Sequence, residues 1–289
     1  MSRITFKKID VFIISILLLF SGFLIYRINN TLNYHFKWGK VFGYIISIDS
    51  TGTVFGPILK GVIYTLKLSF WSIIFATILG FIVGVLRTVK RPFFKIGSFM
   101  FVEVNRNIPP IVLIFIFYFF VSEQIFNYFQ IDTLLRSFSE NTENILGFLF
   151  APPNLLSSFF AGILTLTIYE GCYIAEIVKA GVESIDKGQT DAGYALGLSK
   201  YNVLKHIVIP QGSKIIIPPL TGQYISIIKG SAIASVVAIP ELTFQGLEVM
   251  AATFLTFETW IVVTAIYFVL TFSMSLLSKS IEKKFTGHF

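Results

Sequence analysis

Charge is scarce in this chain. Aspartate, glutamate, lysine and arginine together supply 13% of its 289 residues, against about 25% in an ordinary water-soluble domain. That shortage excludes a conventional soluble fold, because a chain of this length would need much more polar surface to cover its core. Cysteine is nearly absent as well. Cys172 is the single one, so no intrachain disulfide can form, and no His/Cys cluster with metal-ligand spacing surrounds it. There is no Walker-type phosphate-binding glycine loop and no acid pair set in a recognisable catalytic site. The chain is therefore read as having no ATPase site, no metal and no cofactor of its own. The net charge of +7 would suit nucleic acid only if lysine and arginine gathered on one soluble face. They lie between apolar runs instead, and nucleic acid is not expected as a partner.

What is abundant is apolar surface: 54% of the residues are hydrophobic and 32 are phenylalanine. Runs of about 20 apolar residues are long enough to cross a bilayer as helices. Six runs, at about 11–26, 62–86, 98–122, 156–178, 214–238 and 259–279, predict an all-α membrane protein with six transmembrane helices. The first follows Arg3, Lys7 and Lys8 in the manner of a signal peptide. No convincing small-x-small cleavage site comes after it and further spans follow, so it reads as an uncleaved anchor. The fifth contains Pro218, Pro219, Gly222, Lys229, Gly230 and Ser231. Such a run is expected to be broken or kinked and to face protein or water, not lipid.

Positive charge in the connections sets orientation. Lysine and arginine precede the first run and follow the second (Arg87, Lys90, Arg91, Lys95), the fourth (Lys179, Lys187, Lys200, Lys205, Lys214) and the sixth (Lys279, Lys283, Lys284). With six spans all these sites fall on one side, which predicts both termini in the cytoplasm. The connection after the first run runs against the rule, because Arg27, Lys37, Lys40 and Lys60 outnumber Asp49.

Two regions carry functional signals. In the connection at about 179–213, helix-compatible residues run from Lys187 to Leu196, Gly197 can supply a turn, and Ser199 is placed to cap a second short helix from Lys200 through His206. Pro210 then ends that element or opens the next span. Within the spans, Glu170 lies mid-membrane, where an unpaired carboxylate is costly and marks a cavity, a pathway or a buried partner. Tyr173 shares its helical face. Lys229 and Ser231 interrupt the fifth run, and the Lys229 ammonium is suited either to answer Glu170 or to bind a substrate carboxylate. Glu103 and Arg106, three apart, are expected to pair on one helical face. Gly80 and Gly84 form a small-x-x-x-small face suited to close helix packing. The aromatic run around Phe115, Phe117, Tyr118, Phe119 and Phe120 reads as an interfacial belt or packing surface.

The wording YIAEIVKAGVESIDKGQTDAGYALGLS, with Ile207, Ile209 and Pro210 beyond it, resembles the signature loop of permease subunits of bacterial ABC importers, and the polar amino acid uptake branch in particular. GVIYTLKLSF, FVEVNRNIPPIVLIFIFYFF, PPLTGQYISIIKGSAIASVVAIPEL and FETWIVVTAIYFVLTF extend the resemblance over residues 58–287, in order and at fitting spacing. It implies a five-helix importer core at 58–287, preceded by an N-terminal transmembrane anchor and external connection at 1–57. It also implies that Gly181, Gly188, Asp191, Ala192, Gly193, Gly197 and Pro210 couple the chain to a cytoplasmic ATP-binding subunit. Asp191, Ala192 and Gly193 stand where the family has Glu-Ala-Ala; Gly193 in place of alanine costs about 1 kcal/mol of helix propensity.

The implied machine has two permease subunits, either two copies of this chain or this chain and a relative. Two ATPases carry the ATP and magnesium, and an extracytoplasmic binding protein delivers a polar amino acid, in the bacterial cytoplasmic membrane. The rival readings are a secondary transporter coupled to an ion gradient through Glu170 and a non-transporting membrane scaffold. The first predicts paired inverted repeats, for which the two halves show no convincing correspondence. The second leaves mid-span charge without a purpose.

Overall fold

The computed structural model describes residues 8–31, 34, 36–49 and 52–286. Arg3 and Lys7, part of the orientation argument, and Gly287 at the end of the expected core lie outside the described residues. Helix α1 (Lys8–Thr31) has an apolar stretch, Ile9–Phe23, that is shorter than the spans that follow. The stretch Ile9–Phe23 is exposed along nearly its whole length. A short helix α2 (Trp38–Phe42) and a two-stranded antiparallel hairpin, β1 (Ile46–Asp49) and β2 (Gly52–Phe55), follow, with Ile46 opposite Phe55.

The connection carrying α2 is pinned to the body of the protein. Val41 is buried in an apolar cluster with Ile58, Leu242, Val249 and Val263. The Glu258 carboxylate accepts hydrogen bonds from the Tyr34 hydroxyl and, at 2.7 Å, from the Lys37 backbone N–H.

The main body is helical throughout. Helix α3 (Pro57–Thr88) starts on a proline whose missing N–H would have been unpaired at a helix start in any case. It packs along α9 (Leu156–Glu183), and the contact is built from small residues. A Cβ at Gly84 would lie 2.7 Å from Val178 Cβ, and one at Gly80 would lie 2.9 Å from the Gly171 carbonyl oxygen. The backbones approach closely, as the small-x-x-x-small face predicts.

The expected third span at 98–122 is not one helix. Helix α4 (Pro92–Asn107) stops at Ile108 and Pro109, which are extended with ψ 129° and 134°. Each precedes a proline, whose ring clashes with a helical predecessor. The chain resumes as α5 (Pro110–Ile116), a π-helical turn at Phe117–Ser122 and α6 (Glu123–Tyr128), and these together make the span Pro110–Tyr128. Two short helices, α7 (Ile131–Arg136) and α8 (Glu140–Leu149), lead to α9.

After α9 come α10 (Lys187–Ala195), α11 (Lys200–Val203), a π-helical turn at Leu204–Val208, and α12 (Ile209–Gly230). A 3₁₀ segment, Ser231–Val237, extends α12. The chain then bends by 51° into α13 (Leu242–Thr253), and α14 (Thr256–Thr286) closes the fold. Within the fifth run the helix changes to 3₁₀ geometry after Gly230, and the bend falls at the end of the run, at 238–241, where Ala238 has a φ of +57°. Pro218 and Pro219, candidates for the break, lie inside α12.

Glu241 stabilises the bend. Wholly buried, it accepts hydrogen bonds from the N–H groups of Thr243 (2.9 Å) and Phe244 (2.7 Å) and from the Tyr267 hydroxyl (2.8 Å), so it caps α13 and ties it to α14.

Among the described residues four helices are long and apolar enough to cross a membrane: 57–88, 110–128, 153–183 and 256–283. The bent pair α12–α13 makes a fifth. The described residues thus show an all-α multi-span membrane fold with four to five apolar helices long enough to cross a bilayer.

Candidate functional site

The connection between α9 and α12 is a built object. The Asp186 side chain accepts from Gly188 N–H at 2.7 Å and caps α10. At the other end Gly197 has a φ of +77°, where a glycine avoids the clash a Cβ would meet. Its N–H donates to the Tyr194 carbonyl at 2.9 Å, and the Leu198 N–H donates to the Gly193 carbonyl at 3.1 Å, a Schellman closure. The Ser199 hydroxyl then caps α11 by accepting from Asn202 N–H at 3.3 Å.

The second arm is not the separate short helix expected. It runs through the π turn into α12, with Pro210 opening α12. In regular α geometry the proline ring would meet the carbonyl four residues back, and a wider turn relieves that clash.

The coupling candidates divide by environment. Gly188, Asp191, Ala192, Gly197 and Pro210 are exposed. Gly193 is buried, and a Cβ there would lie 2.8 Å from Ile207 Cδ1, so it is where α10 packs on the second arm. Gly181 lies inside α9, buried against Ile216 of α12. The Gln211 side-chain amide donates to the Gln189 side-chain oxygen at 2.6 Å, a second brace between α10 and α12. Leu196 and Tyr201 project, 82% and 66% exposed, at the tip.

A second site lies between α9 and α12. Pro110, Thr165, Leu166, Tyr169, Glu170, Lys229, Gly230 and Ile233 line a cavity of about 210 Å³. Glu170 is buried and its carboxylate accepts a hydrogen bond from the Gln223 side-chain amide; Lys229 is exposed at the rim. Two of the four path candidates, Glu170 and Lys229, therefore share one cavity. The other two do not line it. The Ser231 hydroxyl donates to its own helix at Ile228 O, 2.7 Å away, and the Tyr173 ring receives the Arg106 guanidinium at 5.0 Å. Sequence reasoning missed Gln223 and Tyr169. The signal was there for both: each is a polar group within an apolar run, on the segments already marked by Lys229 and Glu170.

Glu103 and Arg106 are both engaged, but the ion pairs of the described residues join them to other partners. Arg106 reaches Glu176 of α9 at 3.0 Å, and Glu103 reaches Arg87 of α3 at 4.0 Å. The expected pair along α4 gives way to pairs across helices, because α4 packs against α3 and α9 with Val102 buried beside Val83, Cys172 and Ala175. Among the described residues no group of histidine, cysteine and carboxylate side chains could hold a metal ion.

Comparison with known proteins identifies the family. Residues 76–287 match the family described as binding-protein-dependent transport system inner membrane component. A Bacillus subtilis protein described as a probable glutamine ABC transporter permease, GlnM, is 33% identical over 236 residues, 80% of this chain and 96% of its own length. The glutamine transport system permease GlnP of Escherichia coli is 29% identical, covering 78% and 92%. Among solved structures, an amino acid ABC transporter crystallised with histidines has a chain that superposes with a TM-score of 0.62 at 28% identity, covering 79% of this chain and 94% of its own. The MetNI methionine transporter, at 20% identity and a TM-score of 0.59, shares the fold.

Proposed function

The chain belongs to the family of inner membrane components of binding-protein-dependent transport systems and is the membrane permease subunit of an ABC-type amino-acid importer, and from that premise we propose how its parts divide the work. The observation that carries the proposal is the α10–α11 knob, closed by a Schellman turn, braced to α12 and continuous with the helix whose far end holds Lys229. A rigid element joined without a hinge to a span can transmit displacement that a loose loop would absorb. In this reading the exposed face of the knob, with Gly188, Asp191, Ala192 and Gly197, docks into a cytoplasmic ATP-binding subunit, while Gly181 and Gly193 hold the knob against the helices.

A permease subunit of this family does not itself hydrolyse ATP. ATP and magnesium belong to the partner, a second permease subunit completes the pathway, and a binding protein delivers a polar amino acid from outside. Closure of the ATPases moves α12, and with it the Glu170–Lys229 cavity, between outward and inward access. A carboxylate and an ammonium on one cavity suit a zwitterion. The positive-inside pattern supports cytoplasmic termini and a cytoplasmic knob in this reading, with the core and the anchor dividing near residue 57.

The test is isolation of the full chain from its native membrane in mild detergent, with and without a non-hydrolysable ATP analogue, followed by uptake in vesicles. A stoichiometric ATP-binding protein and ATP-dependent entry of an amino acid support the reading. A chain that remains alone, with uptake abolished by collapsing an ion gradient and not by removing ATP, overturns it in favour of secondary transport through Glu170.

A further inference from the structure

A basic cleft lies where α3 and α9 end beside the first turns of α4. It is lined by Arg87, Lys95, Ile96, Phe99 and Lys179, with a volume of about 180 Å³. Among the described residues no carboxylate lines it. Arg87 is committed to Glu176 and Glu103, but neither Lys95 nor Lys179 forms an ion pair among the described residues. Glu183, one turn beyond Lys179, does not line the cleft, and Lys90 and Arg91 add exposed positive charge close by in sequence.

Ile96 belongs to a second feature. With Val83, Leu86, Phe94, Gly97 and Phe101 it lines an apolar groove of about 500 Å³ between α3 and α4. Beside it α4 exposes large apolar side chains: Phe93 is 82% exposed, and Ile96, Phe99 and Met100 are more than half exposed. A cationic cleft and an apolar groove thus meet at one residue, at the end of a membrane span.

We propose that this composite surface is a binding site for an anionic phospholipid, its phosphate between Lys95 and Lys179 and an acyl chain in the groove beside Gly97. The arrangement has the two parts such a ligand needs. Basic pockets between helices at the membrane boundary recognise anionic headgroups, and the stems of lysine cover apolar surface while their ammonium groups reach the headgroup layer. A free anion has no use for the groove, and a neutral lipid has no use for two unpaired ammonium groups. The site is separate from the Glu170–Lys229 cavity and from the knob, and it requires only that the chain lie in a bilayer.

Native mass spectrometry of the full chain, in detergent holding equal amounts of phosphatidylglycerol and phosphatidylcholine, tests the proposal. The wild-type chain is expected to retain phosphatidylglycerol preferentially. The Lys95→Gln/Lys179→Gln double variant should lose that preference by at least about fivefold. A Lys279→Gln/Lys283→Gln variant, with the same loss of charge elsewhere, should keep it. Gly97→Leu fills the groove, and nothing lies within 4 Å of a Cβ there, so it should lose the lipid with no fall in melting temperature. Equal retention of both lipids by the wild-type chain overturns the proposal. So does a preference that survives both the lysine and the Gly97 variants. Displacement by inorganic phosphate with Gly97→Leu unaffected would identify a free-anion site instead, and loss of a dimer without loss of lipid would assign the face to a second copy.

Discussion

Glu176 on α9 and Arg87 on α3 are joined by a 2.7 Å hydrogen bond, and the same carboxylate oxygen takes a second, 3.0 Å long, from Arg106 on α4. One acid thereby ties three helices together where α4 meets the main body. Arg87 is 5% exposed, so removing its partner leaves a buried cation. Glu176→Gln is expected to destabilise the solubilised chain by about 1.5–3 kcal/mol, the range for hydrogen bonds to charged groups. Glu103→Gln should cost much less, because its contact is 4.0 Å long and its side chain 40% exposed. Thermal melts of the two variants in one detergent compare them.

Gly197 should tolerate asparagine better than valine. At a φ of +77° a β-branched side chain is strained, by about 1–2 kcal/mol, while asparagine enters the left-handed region more readily. Gly197→Val is expected to open the Schellman turn and to lower both retention of the ATP-binding partner and stimulation of its hydrolysis. Gly197→Asn should keep most of both. Co-purification and ATP turnover measured side by side give the comparison.

On the α3–α9 contact, Gly84→Leu should be severe. A Cβ there already approaches Val178 to 2.7 Å, and overpacking of this kind costs about 1–3 kcal/mol. A lower yield of folded protein after gel filtration, next to an unaffected Gly97→Leu, marks a packing effect and not a general intolerance of leucine in these helices.

Glu241→Ala should loosen the bend between α12 and α13. The substitution leaves two backbone N–H groups and the Tyr267 hydroxyl without their acceptor; loss of a cap alone costs about 0.5–2 kcal/mol. Glu241→Gln retains an acceptor oxygen and should recover part of the loss. Protease sensitivity near residues 238–255 reads the change.

For the cavity, Glu170→Gln and Lys229→Gln are each expected to reduce amino-acid uptake by about tenfold or more, as loss of a charged contact of at least 1.4 kcal/mol would, while leaving co-purification of the ATP-binding partner intact. Ser231→Ala and Tyr173→Phe should have smaller effects on uptake, because neither side chain lines the cavity. Initial rates in vesicles at saturating ATP separate the two groups.

Much of this architecture was legible along the chain. Apolar runs located α3, α9 and α14 to within several residues, because a helix surrounded by lipid must be apolar over a fixed length. Ser199 as a cap and Gly197 as the turn are short-range features, set by residues no more than three or four apart; the Asp186 cap is equally local, but the structure revealed it. The third and fifth runs were harder. Their hydrophobicity continues across breaks that depend on the backbone preference before Pro109 and Pro110, and on a buried acid at Glu241 whose partner Tyr267 lies 26 positions away. The N-terminal hairpin had no apolar periodicity strong enough to mark it.

The candidate site divides in the same way. That Glu170 and Lys229 are candidates follows from the cost of charge in an apolar run, so the sequence alone singles them out. That they share a cavity, that Gln223 holds the carboxylate, and that Arg106 turns from Glu103 to Glu176 are facts of the third dimension. The sequence by itself determined solvent, span material and the Gly197 turn in the connection between α9 and α12, because each rests on composition or on neighbours within one helical turn. Only the tertiary structure decided which charges meet, because helix packing brings together residues 70 and 89 positions apart in the chain, and no local pattern encodes that distance.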